Sequence, residues 1–292
     1  MPILLFRYLE HRAARGHTAS VRCVPMHMPR SSRHHPDPAF ATTLAHGLSL
    51  LQCFRVGETV LSNKELAERT GLSKATISRL TYTLAARGLL LYDTRLRRYR
   101  LGSTALSLGY PLLASLRVRQ VARPLMKALA DRMGGSVSLG LRDRLRMVYV
   151  ETSRGHDAIA FRPDIGAALP MLASAMGRAW LAQAPAELRA TVLDALRVAE
   201  PDDWRRHADT IPAAVDDLAT LGFARSPGDW LRDVHAVAVP MHEPIDGEIL
   251  VFNCGVPAAR MTSRKLEHEM GPALLALVAE VESLLTSCPP SP

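Results

Sequence analysis

Twenty residues, Asn63–Tyr82, constrain this chain more than any other stretch. Two helices that cross with almost no chain between them need three things. They need a small residue where the second leans on the first, a residue tolerant of positive φ in the turn, and aliphatic side chains where the second faces the core. Ala67 meets the first need and Gly71, four residues on, the second; Ile77 and Leu80, six and nine residues past the glycine, meet the third. Leu66 and Leu72 extend the same apolar contact. The start signals agree: Ser62 followed three residues later by Glu65 is a capping-box pattern, and Ser73 stands where the next helix begins. Upstream, Leu44, Leu48, Leu51 and Cys53–Phe54 mark one face of an earlier helix, with Gly57 at its break and a short extended stretch at Thr59–Leu61. Downstream, Leu89–Tyr92 and Tyr99–Gly102 flank the polar run Asp93–Arg98 and read as two short strands around a turn. The sequence thus predicts a winged helix-turn-helix over residues 39–102.

Such a motif offers its second helix to duplex DNA. The spacing turns Ala75, Ile77, Leu80 and Leu84 inward and Ser73, Lys74, Thr76, Ser78, Arg79, Thr81 and Tyr82 outward. Recognition helices present their N-terminal residues to base edges, which favours Lys74, Thr76 and Ser78; Arg79 either reads guanine or grips a phosphate. Arg95, Arg97, Arg98 and Arg100 of the wing fall on phosphates or in the minor groove. Ser62 completes the candidate DNA-contacting set. The competing reading is a small helical hairpin with no DNA role.

Charge bears on that choice. The net charge is +8, and residues 1–110 hold 16 Lys/Arg against 6 Asp/Glu, while the remainder holds 20 against 22. All the excess positive charge sits in the N-terminal third, which calls for an anionic partner, nucleic acid or a membrane surface. No run of 18 apolar residues exists to span a bilayer, and the patch Ile3–Phe6 is too short for a signal peptide. With aromatics at 5%, a stacking platform for single-stranded RNA is disfavoured. Double-stranded DNA in the cytoplasm is the expectation. Residues 1–38, punctuated by Pro2, Pro25, Pro29, Pro36 and Pro38 and crowded with Arg and His, read as a basic, disordered tail, with Met26 or Met28 as alternative translation starts. His34 and His35 have no partner ligands spaced nearby.

The four cysteines, Cys23, Cys53, Cys254 and Cys288, form no Cys-x-x-Cys pair, so reduced thiols are expected rather than a zinc ribbon or disulfide framework. No metal or other cofactor is expected. Residues 103–119 read as a linker helix weakened by Gly109 and Pro111. Beyond it, helical patterns (Val121–Met133, Ala173–Ala184, Pro185–Val198, Ala213–Leu221, Thr262–Leu285) interleave with strand-like ones (Ser136–Leu141, Leu145–Thr152, Ala158–Phe161, Val234–Val239, Glu248–Cys254). That mixture predicts an α+β domain over residues 120–288, followed by a tail at 289–292.

Catalytic signatures do not appear. Glycine-rich phosphate loops are absent, Leu172–Met176 lacks the glycines of a nucleophile elbow, and His242-Glu243 has no second histidine four residues on. Asp202-Asp203 and Asp216-Asp217 are adjacent pairs, which point apart on a helix. A non-enzyme is expected.

The run Leu66–Leu80 resembles the helix-turn-helix of the isocitrate lyase regulator (IclR) family, and Tyr99–Gly102 resembles its wing end. Val121–Leu125, Gly166 with Leu169–Met171, Ala175–Ala182, Gly222–Ala224 and Val237–Pro240 resemble successive stretches of that family's effector domain, in the same order. The resemblance spans Phe40 to Leu285. It implies a transcriptional activator or repressor, dimeric or tetrameric on a pseudo-palindromic operator. It also implies a GAF-like effector domain with an antiparallel sheet that binds small organic or aromatic acids. By position it places Ala175, Met176, Ser226, Ala236, Asn253 and Gly255 at the effector pocket. Read on their own chemistry, Ala175 and Met176 divide between core and pocket, and Asn253 needs amide partners from a ligand or from neighbouring backbone. The sequence departs from the family at Arg178 (usually lysine), Ser226 (often acidic), Gly255 (often serine) and the loop holding Trp230 and Asp233. Arg178 could pair a carboxylate ligand or serve as a surface or helix-pair residue. The alternative function is a non-enzymatic interaction module that has lost ligand control or DNA binding.

Overall fold

The computed structural model describes residues 39–287 except Val56, residues 157–163 and Met261. The expected tails, Cys23, Cys288, His34, His35 and the strand expected at 158–161 lie outside those residues. The chain divides between Leu101 and Gly102 into two compact units, described separately below.

The first unit contains α1 (Thr42–Leu51), α2 (Asn63–Thr70), α3 (Lys74–Ala86), β1 (Leu90–Asp93) and β2 (Arg98–Leu101). Its core is Leu50, Leu61, Leu66, Ile77, Leu80 and Leu90. Both sides of the capping box form: Ser62 Oγ accepts from the Glu65 backbone N–H at 3.3 Å, and Glu65 Oε2 accepts from the Ser62 backbone N–H at 2.8 Å. Gly71 closes α2 in the left-handed region with φ 71°, which lets the α3 cap, Ser73, follow two residues later. Ser73 Oγ then accepts from the Thr76 N–H at 3.2 Å. β1 and β2 pair antiparallel from Leu90↔Leu101 to Asp93↔Arg98, and paired backbone hydrogen bonds between Leu61 and Tyr99 tie the wing to the segment before α2.

Two side chains of α3 lie opposite to expectation. Ala75 is exposed and Thr81 is fully buried. The inward face runs Ile77, Leu80, Thr81, Leu84, the spacing of one helical stripe, and Ala75, two residues before Ile77, falls on the far side. Thr81 can be buried because its hydroxyl donates to the Ile77 carbonyl at 2.9 Å.

The second unit begins with α4 (Ser103–Ser115) and α5 (Arg117–Met133). The expected single linker helix breaks at Leu116, so residues 117–119 belong to α5. α4 buries none of its residues, and Leu106, Leu108, Tyr110 and Leu112 stand exposed on it. Next come β3 (Ser136–Asp143), β4 (Arg146–Arg154), β5 (Ala168–Pro170), α6 (Ala175–Gln183), α7 (Ala186–Ala199), α8 (Pro201–His207), α9 (Thr210–Leu221), β6 (Ala224–Pro227), β7 (Val234–Pro240) and β8 (Val251–Pro257). The six strands form one antiparallel sheet in the order β5-β4-β3-β8-β7-β6. The chain ends in α10 (Ser263–Lys265), a π segment (Leu266–Met270) and α11 (Gly271–Ser287), where one uninterrupted helix was expected.

Two apolar layers sandwich the sheet. One joins it to α5, α11 and the π segment; the other joins it to α6, α7 and α9. Leu266–Ser287 is long and apolar enough to cross a bilayer, yet Leu266, Met270, Leu274, Leu277, Val278 and Val281 are buried in the first of these layers. Short elements that the sequence did not announce are β5, β6 and α8.

Candidate nucleic-acid interface and effector cavity

α3 carries Lys74, Ser78, Arg79 and Tyr82 exposed, with Thr76 half-buried, and its thirteen residues include no carboxylate. Tyr82 is 76% exposed, an unusual position for a large ring without a partner. On the wing, Arg95, Arg97 and Arg100 are exposed, and Arg97 takes a φ of 54° at the turn. Three members of the expected set make contacts within the protein. Arg98 reaches back to α2, its Nη1 2.8 Å from Glu65 Oε2, which braces the wing. The Ser62 hydroxyl is spent on the cap, donating to Glu65 Oε2 at 2.6 Å. The Ser62 hydroxyl and N–H, then Arg98, hold the Glu65 carboxyl well down, at about 2. The Ser73 hydroxyl is also engaged, sharing a hydrogen bond with Thr76 Oγ1 at 2.9 Å.

In the second unit, strand register gathers the candidate effector residues. Ser226 pairs with Ala236, Ala236 with Gly255, and Gly255 with Ser136, a row across four strands. Asn253 lies two residues along β8, on the same face. Opposite this face sits the N-terminus of α6. Its cap is Ser174, whose Oγ donates to the Pro170 carbonyl at 2.6 Å and accepts from the Gly177 N–H at 3.1 Å. α6 lies close because residue 177 is glycine: a Cβ there would come within 2.3 Å of the Met171 carbonyl oxygen.

Between them is a cavity of about 20 Å³, room for roughly one water. Ala175, Ser226, Ala236, Asn253 and Gly255 all line it, five of the six residues placed there by position. Met176 is the exception. It is wholly buried with its sulfur over Gly140, so its side chain belongs to the core beneath β3. The sequence did not point to Ser136, Tyr149, Ser174, Trp230 or Leu231, which with Leu169 and Val234 complete the wall. A serine at the start of a helical pattern is an N-cap signal that could have found Ser174; Trp230 stands out in the sequence only as a departure from the family pattern.

Asn253 is 7% exposed, and its Nδ2 donates to Tyr149 Oη at 3.2 Å while its Oδ1 has no hydrogen-bond partner. Burial pushes the Tyr149 hydroxyl up, so it stays protonated. Ser226 Oγ donates to the Ala173 carbonyl at 2.8 Å. Among the described residues the cavity wall contains no charged side chain, so its fixed positive potential comes from the N-terminus of α6. Arg178 does not supply it. Arg178 is 3% exposed, with Nε donating to the Leu172 carbonyl at 2.8 Å and Nη1 to the Arg225 carbonyl at 2.9 Å and Asp229 Oδ2 at 2.6 Å. A surface position does not describe it. A more open hollow of about 460 Å³ is lined by Arg178, Asp209, Asp217, Arg225 and Glu267, with Arg225 bridging Asp217 and Glu267. Among the described residues, no cluster of three His, Cys, Asp or Glu could hold a metal.

Residues 43–94 match the IclR helix-turn-helix domain, and residues 111–283 match the C-terminal domain of the bacterial transcriptional regulator IclR. The HTH-type transcriptional regulator TsaQ1/TsaQ2 of Comamonas testosteroni is 35% identical over 250 residues, covering 85% of this chain and 90% of that protein. The crystal structure of an IclR family transcriptional regulator from Brucella abortus is 40% identical with a TM-score of 0.75, covering 86% of this chain and 95% of that one. An IclR homologue from Microbacterium hydrocarbonoxydans, crystallised with 4-hydroxybenzoate, shares the fold at 22% identity and a TM-score of 0.68, covering 84% of this chain and all of that one. The winged helix-turn-helix, the antiparallel sheet under α6, and matches that together span most of the chain have one meaning: this protein belongs to the IclR family of transcriptional regulators.

Proposed function

We propose that α3 is the recognition helix, with Lys74, Thr76 and Ser78 toward base edges, Arg79 on a base or a phosphate, and Tyr82 at the groove margin. The exposed wing arginines Arg95, Arg97 and Arg100 hold phosphates or enter the minor groove. The observation that carries this is a surface helix with cations and polar side chains but no carboxylate, set on a capped, buried scaffold. The test is selection of bound sequences from randomised duplex by the full chain, followed by salt titration. Contact with phosphates gives affinity that falls steeply between about 50 and 200 mM salt. Absence of any selected sequence, or affinity indifferent to salt, favours an interaction module that has lost DNA binding.

The cavity under α6 is the effector site in this reading, and its occupant is a small organic or aromatic acid. The acid group lies at the α6 N-terminus beside Ser174 and Ala175, and the Asn253 amide supplies a further polar contact. The α6 dipole favours an anion there, in a wall with no competing carboxylate. The protein works in the cytoplasm as a homodimer or homotetramer on a pseudo-palindromic operator, without catalysis. Leu44 and Leu48 of α1 and the apolar residues of α4 are exposed surfaces suited to pairing between copies. A footprint on the selected operator that is the same with and without every acid tested would count against the effector control.

A further inference from the structure

The effector cavity is far smaller than its proposed occupant, and its walls differ in how easily they can give. Small-molecule sites run to roughly 300 Å³ or more, against about 20 Å³ here. The sheet wall is fixed by interstrand pairing, and α6 is fixed by Gly177 against the Met171 backbone. The remaining wall is Trp230 and Leu231, in the loop between Pro227 and Val234. That loop lies outside the strand pairing of β6 and β7 and turns on Gly228 at φ 87°.

An ion pair ties the loop to α6, beside the packing of Trp230 on the apolar layer that contains α6. Asp229, next to Trp230, sets its Oδ2 2.6 Å from Arg178 Nη1, and Arg178 is itself anchored on the Leu172 and Arg225 carbonyls. Arg178 stands on the helix whose first residues wall the same cavity. The pair therefore sets where the indole rests relative to the α6 N-terminus.

We propose that Trp230 determines which effector this protein accepts, as a flat aromatic wall that must be displaced to admit a ligand, and that the Arg178–Asp229 pair positions it. The favoured ligand is a planar aromatic acid, its acid group on the α6 N-terminus and its ring against the indole. This rests on the effector reading above and narrows it. A ring packed on the indole gains from offset stacking beyond the area buried, which corresponds to about a 3- to 10-fold preference over a saturated ring of the same size. Loosening the loop removes part of the work of opening, so affinity rises for every acid that fits.

The test uses the full chain, with benzoate, 4-hydroxybenzoate and cyclohexanecarboxylate as probes at up to about 10 mM, read by calorimetry and thermal shift. The wild type should prefer benzoate to cyclohexanecarboxylate by that factor, and Trp230→Leu should bring the two level. Asp229→Asn should raise acrylamide quenching of tryptophan emission and tighten binding of all three acids several-fold. Arg178→Lys, which keeps the charge but loses the fork, should act in the same direction. In a Trp230→Leu background the quenching change should vanish, which assigns it to that indole. An unchanged aromatic preference in Trp230→Leu, or unchanged quenching and affinity in both Asp229→Asn and Arg178→Lys, overturns the proposal and leaves the effector site standing. If no acid binds any of these proteins, the effector reading itself fails and this one with it.

Discussion

Replacing Ile77 with alanine separates the two units energetically. Ile77 is fully buried in a core of six side chains, and the change removes three carbons from it. Transfer alone costs about 0.8 kcal/mol per carbon, or about 2.4 kcal/mol, and the cavity left behind raises that to about 3–4 kcal/mol. A unit of about sixty residues has only about 3–9 kcal/mol of stability to lose. The DNA-binding unit should thus become marginal. The apolar layers of the second unit share no residue with this core. All three tryptophans, Trp180, Trp204 and Trp230, lie beyond Gly102, so tryptophan emission is blind to the first unit. Amide exchange across α3 should accelerate by about 100-fold, the equivalent of about 3 kcal/mol. The denaturation midpoint followed by tryptophan should not move. Parallel loss of both signals, or unaltered exchange in α3, would refute the account of a small independent core around Ile77.

Lys74→Ala should leave α3 exchange intact, weaken DNA binding across all sequences and lower the slope of affinity against salt by about one. Arg79→Ala should do the same if it holds a phosphate, and should also relax preference at one base pair if it reads guanine, at about 1–3 kcal/mol. Gly177→Ala should damage the effector unit, since its new methyl meets the Met171 backbone, whereas Gly255→Ser has ordinary contact distances to Val234 and Ser136 and should fold; thermal melts distinguish the two. Glu65 is held low in the folded state, at about 2 against 4.5 for the ordinary group, so its contribution is complete above pH 4.5 and disappears as pH falls toward 2. Ser62→Ala should flatten that acid limb in an exchange-monitored pH series of α2. The Cys254 thiol, buried and pushed up to about 12, should resist a thiol reagent at pH 8 until the protein is unfolded.

Local backbone chemistry was the most legible part of this chain. Ser62 with Glu65, Gly71 and Ser73 are short-range signals, and each one ends or begins a helix where its chemistry requires. The wing followed from two apolar runs around a polar turn. What depends on phase or on distant partners was less readable. A threonine looks polar in sequence, yet Thr81 goes inward because a carbonyl one turn back accepts its hydroxyl. Arg178 carries no sign that Leu172, Arg225 and Asp229 would meet around it and replace its water with two carbonyls and a carboxylate. The break at Leu116 and the π segment at Leu266–Met270 both lie in stretches whose apolar spacing suits a continuous helix. In the cavity, position along a resemblance located the sheet residues, because strand register places them in rows. It could not find Trp230, whose neighbour Asp229 is paired with Arg178 across the fold.

The outward face of α3 holds none of the contacts that keep the first unit folded: its core runs through Ile77, Leu80 and Leu90, and its caps and braces through Ser62, Glu65 and Arg98. Substitutions at Lys74, Ser78, Arg79 or Tyr82 therefore meet little resistance from folding. If α3 reads DNA as proposed, descendants of this gene can retune which promoters they answer to, one exposed side chain at a time, while inheriting the scaffold unaltered.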